Sequence, residues 1–352
     1  MERFLTYDRL ISSHRNRLDV SPFPEDKLNM AYLDNKYNQF KLHLDNGDPE
    51  MTEKVIKEIY NQLQSGTEVY KYAIEQTDIL DKVFDLLIYS EDNQIREIAS
   101  LCFKQFCKAL ISKEILHEFS YIKKIPVALD DEIEAVRENV LLGLIYYSQS
   151  RYGTDKLLEN DILQRIIKKI VNETSLKVFN LILILSQEIL NSDNAPKIAL
   201  ENKMIDNMKS FLFMDHYRKF EDFEEFQFKV LENVLLNYGS LSLCEQGKQA
   251  CIDEGSLIKI IINFLNEHNS SDKLGILIAT IRFFMSVSIL KRGKEEIFEY
   301  KGLDYFMVIQ FFKLDNKNFL IYFTFKFFIL LVKLKIYFCS IYWINTIMSK
   351  LF

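Results

Sequence analysis

The sequence predicts an all-α fold, an α-solenoid in which helical units of about 42 residues stack on one another. Three observations lead to this prediction. Glycine and proline are scarce, at 10 and 5 of 352 residues, which disfavours folds that depend on tight turns. Apolar residues recur three and four residues apart, as on one face of a helix. A polar break followed by an apolar pair returns at nearly constant intervals.

The intervals between these breaks define the repeat. Measured from the second residue of each pair to that of the next, they are 42, 41, 42, 53 and 45 residues. Repeats of roughly 40 to 47 residues are typical of armadillo and HEAT proteins. We attribute the longest interval to an insertion near 216–228, which we expect to project from one turn of the solenoid. The six pairs are Ile79-Leu80, Tyr121-Ile122, Ile162-Leu163, Met204-Ile205, Leu257-Ile258 and Gly302-Leu303.

The unit at residues 132–171 shows how one repeat is built. A mostly apolar helix is followed by a predicted turn over Arg151 to Thr154, and Asn160-Asp161 then breaks the chain again. We likewise expect turns at Gly239-Ser240 and Gly255-Ser256. The last part of the unit carries an apolar helical stripe, formed by Ile162, Leu163, Ile166, Ile167, Ile170 and Val171.

Each amphipathic helix is followed by one that is apolar on nearly all sides, as expected for an element packed between layers. One of these segments, VFNLILILS at residues 178–186, is also compatible with a strand. Because no glycine or proline flanks it, and because the surrounding period is helical, we predict a buried helix. The apolar segments are Ile95 to Phe106, Val136 to Tyr147, Leu176 to Leu185, Val230 to Leu236 and Leu274 to Met285.

The predicted organisation has three parts: an N-terminal arm over residues 1–24, helical repeats over residues 25–314 and a Phe-rich tail over residues 315–352. The sequence leaves three interpretations of the tail open: a capping helix, a translated intron that is not native, or a membrane anchor. Its longest uncharged run has 14 residues, fewer than the roughly 18 that a spanning helix needs.

Composition and motifs argue against several functions. A net charge of −6 gives no broad electrostatic reason to bind nucleic acid or an anionic membrane. The five cysteines contain no CxxC pair, and the five histidines are not at metal-ligand spacing. Glycine-rich phosphate loops and GxSxG are also missing. We therefore predict a protein that is not an enzyme, with no catalytic, cofactor-binding or metal-binding residues.

Candidate interaction residues fall into three groups. Arg165, Lys168 and Lys169 share the polar face of one helix, which we interpret as a solvated face. Arg96 and Arg137 each begin an apolar helix after acidic residues, so we expect them to contact acids of the adjacent repeat and to serve stacking before partner docking. Aromatic candidates of the insertion are Phe220, Phe223 and Phe226.

Three stretches resemble the armadillo-repeat radial spoke head 14 homologs of motile cilia. They are EVYKYAI at 68–74, Ile95-Arg96, and Val136 to Asn139. A Pro-containing arm before Ala31-Tyr32 is also similar. The similarity runs from about Pro24 to Leu314 and weakens in the last third.

The resemblance implies a non-catalytic structural subunit of the axonemal radial spoke, in the cilium and its cytoskeleton. Its partners would be other radial spoke or axonemal proteins in a large hetero-complex, without nucleic acid or cofactor. Two alternatives stay open: a soluble cytoplasmic armadillo-type adaptor for extended peptides or cargo, and an adaptor tethered to a membrane through its tail.

Overall fold

The computed structural model describes residues 36–65, 77–108, 121–217, 220–221, 223–254, 257–267 and 274–300. The predicted arm at 1–24, the tail at 315–352 and Gly255-Ser256 lie outside these described residues. The described residues form helices and turns without a strand, which confirms the predicted all-α class. The chain divides into two compact units, unit 1 at Met1–Tyr121 and unit 2 at Ile122–Phe352.

Unit 1 contains a helical stretch at 36–46 followed by α1 (Pro49–Ser65), α2 (Thr77–Tyr89) and α3 (Asn93–Lys108). Helix α3 packs against both α1 and α2. The core is aromatic: the Phe84 ring meets Phe103 edge-on at 5.5 Å and stacks on Tyr121 at 4.4 Å.

Unit 2 repeats a pattern of short helix, amphipathic helix and long apolar helix. The long helices are α5, α8, α12 and α15, and each packs against the next in that order to form one layer. The helices of the unit are α4 (Ile125–Leu129), α5 (Glu134–Ser148), α6 (Arg151–Glu159), α7 (Ile162–Asn172), α8 (Leu176–Ile189), α9 (Ala195–Glu201), α10 (Met204–Lys209), α11 (Met214–Tyr217), α12 (Phe223–Leu241), α13 (Glu245–Asp253), α14 (Leu257–Glu267), α15 (Leu274–Val287) and α16 (Lys291–Glu299).

The long helices confirm the main predictions about the repeat. The segment that could have formed a strand lies within α8, where Phe179, Ile182 and Leu183 are buried. Two of the predicted breaks end in a left-handed residue, Asp161 and Lys203, each with a φ of 57°. A left-handed residue stops a helix because the next peptide can no longer continue the hydrogen-bond ladder.

The predicted turns after the long helices were wrong. Ser150 caps α6 by accepting a hydrogen bond from the Gly153 amide, so the helix already begins at Arg151. Position 153, inside that first turn, requires glycine because a Cβ there would overlap the carbonyl oxygen of Tyr147. Gly239-Ser240 is likewise not a turn, since both residues lie within α12.

We predicted that the insertion projects from the solenoid, but part of it is buried. Tyr217 and Phe220 are buried, and the Tyr217 hydroxyl donates a 2.7 Å hydrogen bond to the Phe211 carbonyl. Part of the extra length extends α12, which has 19 residues where α8 has 14. Part of the insertion therefore packs into the body of unit 2, while Glu221 and Glu225 are exposed.

Candidate protein-binding surfaces

The layer of long helices in unit 2 has one side that other described helices do not bury completely. We call this side the open face. Its half-buried residues recur three and four positions apart on each helix, which places them on one side of it. They are Glu138, Leu142 and Ile145 on α5, Leu181, Ile184 and Glu188 on α8, Glu232 and Leu236 on α12, and Ile278, Arg282 and Met285 on α15. The open face is therefore an apolar surface interrupted by three carboxylates and by the guanidinium of Arg282.

The carboxylates of the open face differ in their neighbours. Glu138 forms a 2.7 Å ion pair with Lys177. Glu232 forms no ion pair with any lysine or arginine among the described residues, and its carboxylate lies where a Cβ of Gly275 would be. Burial raises the pKa of Glu232 above its usual value. A cation from a partner would stabilise the ionised form of this carboxylate.

Neutral amides also join α8 to α12. The Asn233 side chain donates a 2.8 Å hydrogen bond to the Asn180 side-chain oxygen. The Asn237 amide donates a 2.9 Å bond to the carbonyl of Leu183. Sequence reasoning missed these residues, although the 53 residues between Asn180 and Asn233 equal the longest repeat interval.

Arg137 connects two consecutive repeats within unit 2. Its Nη1 donates to the carbonyls of Asp131 and Glu132 at 2.9 and 3.0 Å. Its Nε and Nη2 donate to the two carboxylate oxygens of Glu173 at 3.2 and 2.9 Å. The pair is nearly inaccessible, with the two side chains 11% and 3% exposed. These contacts give Arg137 a stacking role.

Arg96 has a similar backbone role in unit 1. Its Nη1 donates to the carbonyls of Ser90 and Glu91 at 3.0 and 3.3 Å. Those carbonyls lie in the turn that precedes α3, six and five residues before the arginine. The guanidinium therefore joins the first turn of the long helix to the chain that enters it.

We predicted that the basic face of α7 is solvated, but two of its three residues form ion pairs. Arg165 and Lys169 both bind Asp130, which follows α4 in the preceding repeat, and the Lys169 distance is 3.0 Å. Burial alone would raise the pKa of Asp130, but the hydrogen bonds from Arg165 and Lys169 outweigh it and hold that pKa below its usual value. Lys168 is exposed.

The three predicted aromatic residues have different outcomes. Phe220 is buried and forms part of a pocket wall. Phe226 is half-buried, with the Lys229 ammonium 4.9 Å from its ring centre. Phe223 begins α12, and its side chain lies outside the described part of the chain.

A second surface feature of unit 2 is a cavity of about 510 Å³, which we call the Phe220 pocket. It lies where the end of α7, the α7–α8 connection, α10 and the segment after α10 meet. Val171 was predicted to belong to the buried stripe of α7, but it is 64% exposed and lines this pocket instead. The lining residues are Ile170, Val171, Asn172, Glu173, Thr174, Asp206, Asn207, Ser210, Phe211, His216 and Phe220.

The described residues offer few reactive groups. Burial raises the pKa of the Cys251 thiol to about 12, so it stays protonated at neutral pH and is a poor nucleophile. No three histidine, cysteine, aspartate or glutamate side chains of the described chain could jointly hold a metal ion. Over the same residues, no helix has both the length and the apolar character needed to span a bilayer.

Several solved structures share this fold. The designed armadillo repeat protein YIII(Dq)4CqI is 14% identical, with a TM-score of 0.56 over 70% of this chain and 98% of its own. Computationally designed armadillo repeat proteins for modular peptide recognition are 16% identical, with a TM-score of 0.57 over 70% and 98%. The designed armadillo repeat protein YIII(Dq.V1)4CPAF, in complex with the peptide (KR)4, is 14% identical, with a TM-score of 0.58 over 70% and 98%.

These similarities identify the fold. No protein-family model matches the chain, and no curated protein matches it. The similar proteins cover the greater part of this chain and nearly all of their own length. The chain therefore has an armadillo-repeat fold, one of the two that its period predicted, armadillo and HEAT.

Proposed function

We propose that this protein is a non-catalytic scaffold that binds other proteins along its open face, as a radial spoke subunit of the ciliary axoneme. The observation that carries the scaffold role is the open face itself. Apolar side chains such as Leu142, Leu181 and Leu236 are half-buried on consecutive helices of one layer. Covering such side chains with a partner contributes about 25 cal/mol for each Å² of apolar surface removed from water.

The packing of the layer also favours binding. The long helices are held against one another by buried residues and by the amide bonds of Asn233 and Asn237. A partner would therefore meet a surface whose backbone is already fixed. Such preorganisation lowers the conformational entropy lost on association.

The axonemal part of the proposal rests on the sequence resemblance. Two of its stretches lie in long helices, at the starts of α3 and α5. In both, the arginine contacts backbone carbonyls of its own unit, and Arg137 also pairs with Glu173 of the next repeat. Partner recognition would come from the residues of the open face, and the partners would be neighbouring spoke proteins in a permanent hetero-complex.

Localisation tests the axonemal part directly. A tagged copy should remain with axonemes after detergent extraction of ciliated cells, and it should be lost from axonemes that lack radial spokes. Recovery from the cytosol alone would contradict the axonemal assignment. That outcome would not contradict the scaffold role, which is tested separately by substitutions on the open face.

Charged substitutions test the open face. Leu181→Arg places a charge at the centre of the face, and we expect it to remove the proteins that co-purify with the wild-type chain. Leu243→Arg is the matched control, because Leu243 is 54% exposed and lies after α12, outside the open face. Equal loss of partners in both variants, with both folded by circular dichroism, would contradict binding at the open face.

A second candidate is an adaptor that binds extended basic peptides on the same face. The uncompensated carboxylate of Glu232 favours it, as does the similarity to a designed protein in complex with the peptide (KR)4. Titration with (KR)4 should give saturable binding that weakens roughly tenfold in Glu232→Gln, the loss expected for one charge-assisted contact. Unchanged affinity in that variant would exclude this candidate.

A further inference from the structure

We propose that the Phe220 pocket is an additional binding site, separate from the open face, that takes an arginine side chain of a partner protein. The pocket is formed by α7, the α7–α8 connection, α10 and the residues that follow α10, including part of the insertion. The proposal does not depend on the function of the open face. It rests on the shape, charge and hydrogen-bonding groups of the pocket.

The pocket has an aromatic wall. The rings of Phe211 and His216 meet edge-on with 4.4 Å between their centres, and the Phe220 ring lies 5.9 Å from that of His216. Phe211 and Phe220 are only 3% and 8% exposed, so the half-buried His216 ring offers the larger aromatic surface. A planar guanidinium stacks well against such a ring, because it is delocalised and more weakly hydrated than an ammonium group. A cavity of about 510 Å³ accommodates the whole arginine side chain.

Among the described residues, the charges around the pocket include one carboxylate, Asp206, whose lysine neighbours do not outweigh its burial and its acidic neighbour. Glu173 is neutralised by Arg137. Asp206 and Glu254 interact with each other, and Lys209 forms a 2.8 Å ion pair with Glu254. Burial raises the pKa of Asp206, and the neighbouring Glu254 raises it further, whereas Lys209 and Lys203 lower it without outweighing those effects. A cation that enters the pocket beside Asp206 would stabilise the ionised form of this carboxylate.

The polar groups of the pocket suit arginine better than lysine. Asn207 donates its amide nitrogen to the Ile167 carbonyl at 3.5 Å, which leaves its amide oxygen as an acceptor. Thr174 and Ser210 add hydroxyl oxygens, and Asp206 adds a carboxylate. Guanidinium has five donors spread over a plane, whereas an ammonium group directs three donors from one point. Acceptors on several walls are therefore better matched by arginine.

The rim of the pocket favours a polypeptide over a free ion. Val171 is 64% exposed at the edge of the cavity, although it belongs to an otherwise amphipathic helix. An exposed apolar residue beside a cation site can pack against the methylene groups of arginine and against the residue that follows it. A free inorganic cation would gain nothing from this contact.

Binding of acetyl-arginine amide to the full chain tests the proposal, with the His216 ring as the reporter. In a histidine-labelled sample, the ring resonance of His216, assigned with His216→Gln, should shift saturably. The resonances of His14, His43, His117 and His268 are internal controls and should not shift. Acetyl-citrulline amide, which has nearly the same shape without the charge, should bind at least about tenfold more weakly. Equal shifts with both probes, or none with either, would overturn the proposal.

Substitutions test whether acetyl-arginine amide binds beside Asp206. Asp206→Asn should weaken acetyl-arginine amide binding roughly tenfold, since it removes one charge-assisted hydrogen bond. Asp193→Asn is the matched control, because this carboxylate is 93% exposed and does not line the pocket. Equal effects of the two substitutions would contradict a site at Asp206. Acetyl-lysine amide that binds as tightly as the arginine probe would also overturn the assignment to arginine.

The chain itself has two basic residues, Arg218 and Lys219, between Tyr217 and Phe220. Both lie outside the described residues. The double substitution Arg218→Ala and Lys219→Ala separates a partner's arginine from an internal one. Unchanged affinity for acetyl-arginine amide supports a site for a partner. Binding that appears only in the double variant would overturn it, because the chain's own cation would then compete for the pocket.

Discussion

Two neighbouring interfaces between long helices of unit 2, which we call boundaries, are stabilised by different interactions. Between α5 and α8, the contacts include the ion pairs of Arg137 with Glu173 and of Lys177 with Glu138. Between α8 and α12, they include the neutral amide bonds from Asn233 and Asn237. Both boundaries join two long apolar helices, so the same packing is compatible with charged or uncharged connections.

The comparison also shows what the insertion leaves unchanged. Asn180 and Asn233 lie 53 residues apart and still form a direct 2.8 Å hydrogen bond. Across the regular boundary, the Ser175 hydroxyl donates a 3.0 Å bond to Glu134, 41 residues earlier. The longer interval is therefore accommodated between the stacked helices, and the packing of the long helices is retained.

The largest expected effect is at the charged boundary. Arg137→Ala should lower the free energy of unfolding by about 3 kcal/mol, because it leaves the nearly buried Glu173 carboxylate without its cation. Urea unfolding measures this loss. Arg151→Ala is the control, since Arg151 is 76% exposed and 3.9 Å from its acid, and it should change stability by less than about 0.5 kcal/mol. The explanation fails if the two variants are equally stable.

The neutral boundary should give the next largest effect. Asn237→Leu should lower the free energy of unfolding by about 1 to 2 kcal/mol, because the side-chain hydrogen bonds to the carbonyls of Leu183 and Asn233 are lost. Since no net charge is removed, the loss should be the same in urea titrations at low and at high salt. A loss that shrinks with added salt would contradict the assignment of this boundary to neutral hydrogen bonds.

The exposed ion pair of the charged boundary should contribute less. Lys177 and Glu138 are 42% and 25% exposed, so Lys177→Gln should cost about 0.2 to 1 kcal/mol at low salt. At 1 M salt the difference from wild type should nearly vanish, because screening acts over about 3 Å there. An equal loss at both salt concentrations would indicate that packing of the lysine stem, not charge, stabilises the boundary.

The smallest expected effect has the opposite sign. Burial raises the pKa of Glu232 in the folded chain, so ionisation of this group destabilises the fold as pH rises from about 4, its unfolded value, through the raised folded value. Glu232→Gln should therefore be slightly more stable than wild type at pH 7, by about 0.3 kcal/mol after allowance for its partial exposure. Below pH 4 the two should be equally stable. A variant less stable than wild type at pH 7 would contradict this sign.

The sequence predicted some features of the candidate surfaces and missed others. It indicated that Arg137 would contact an acid of the adjacent repeat, but Glu173 could not be chosen, because several acids lie within a similar distance along the chain. It named Phe220, yet the pocket around it depends on residues from three separate segments. Val171 was assigned to the apolar stripe because periodicity does not show where a helix leaves the core.

By itself, the sequence determined the helical class, the period of about 42 residues and an α-solenoid of armadillo or HEAT type. These features follow from local patterns, since apolar spacing and helix breaks act within a few turns of chain. Only the tertiary structure decided which carboxylate Arg137 binds, which group accepts the hydrogen bond of Asn233 and which segments form the Phe220 pocket. Each of these depends on residues dozens of positions apart, whose meeting is set by how the helices pack against one another.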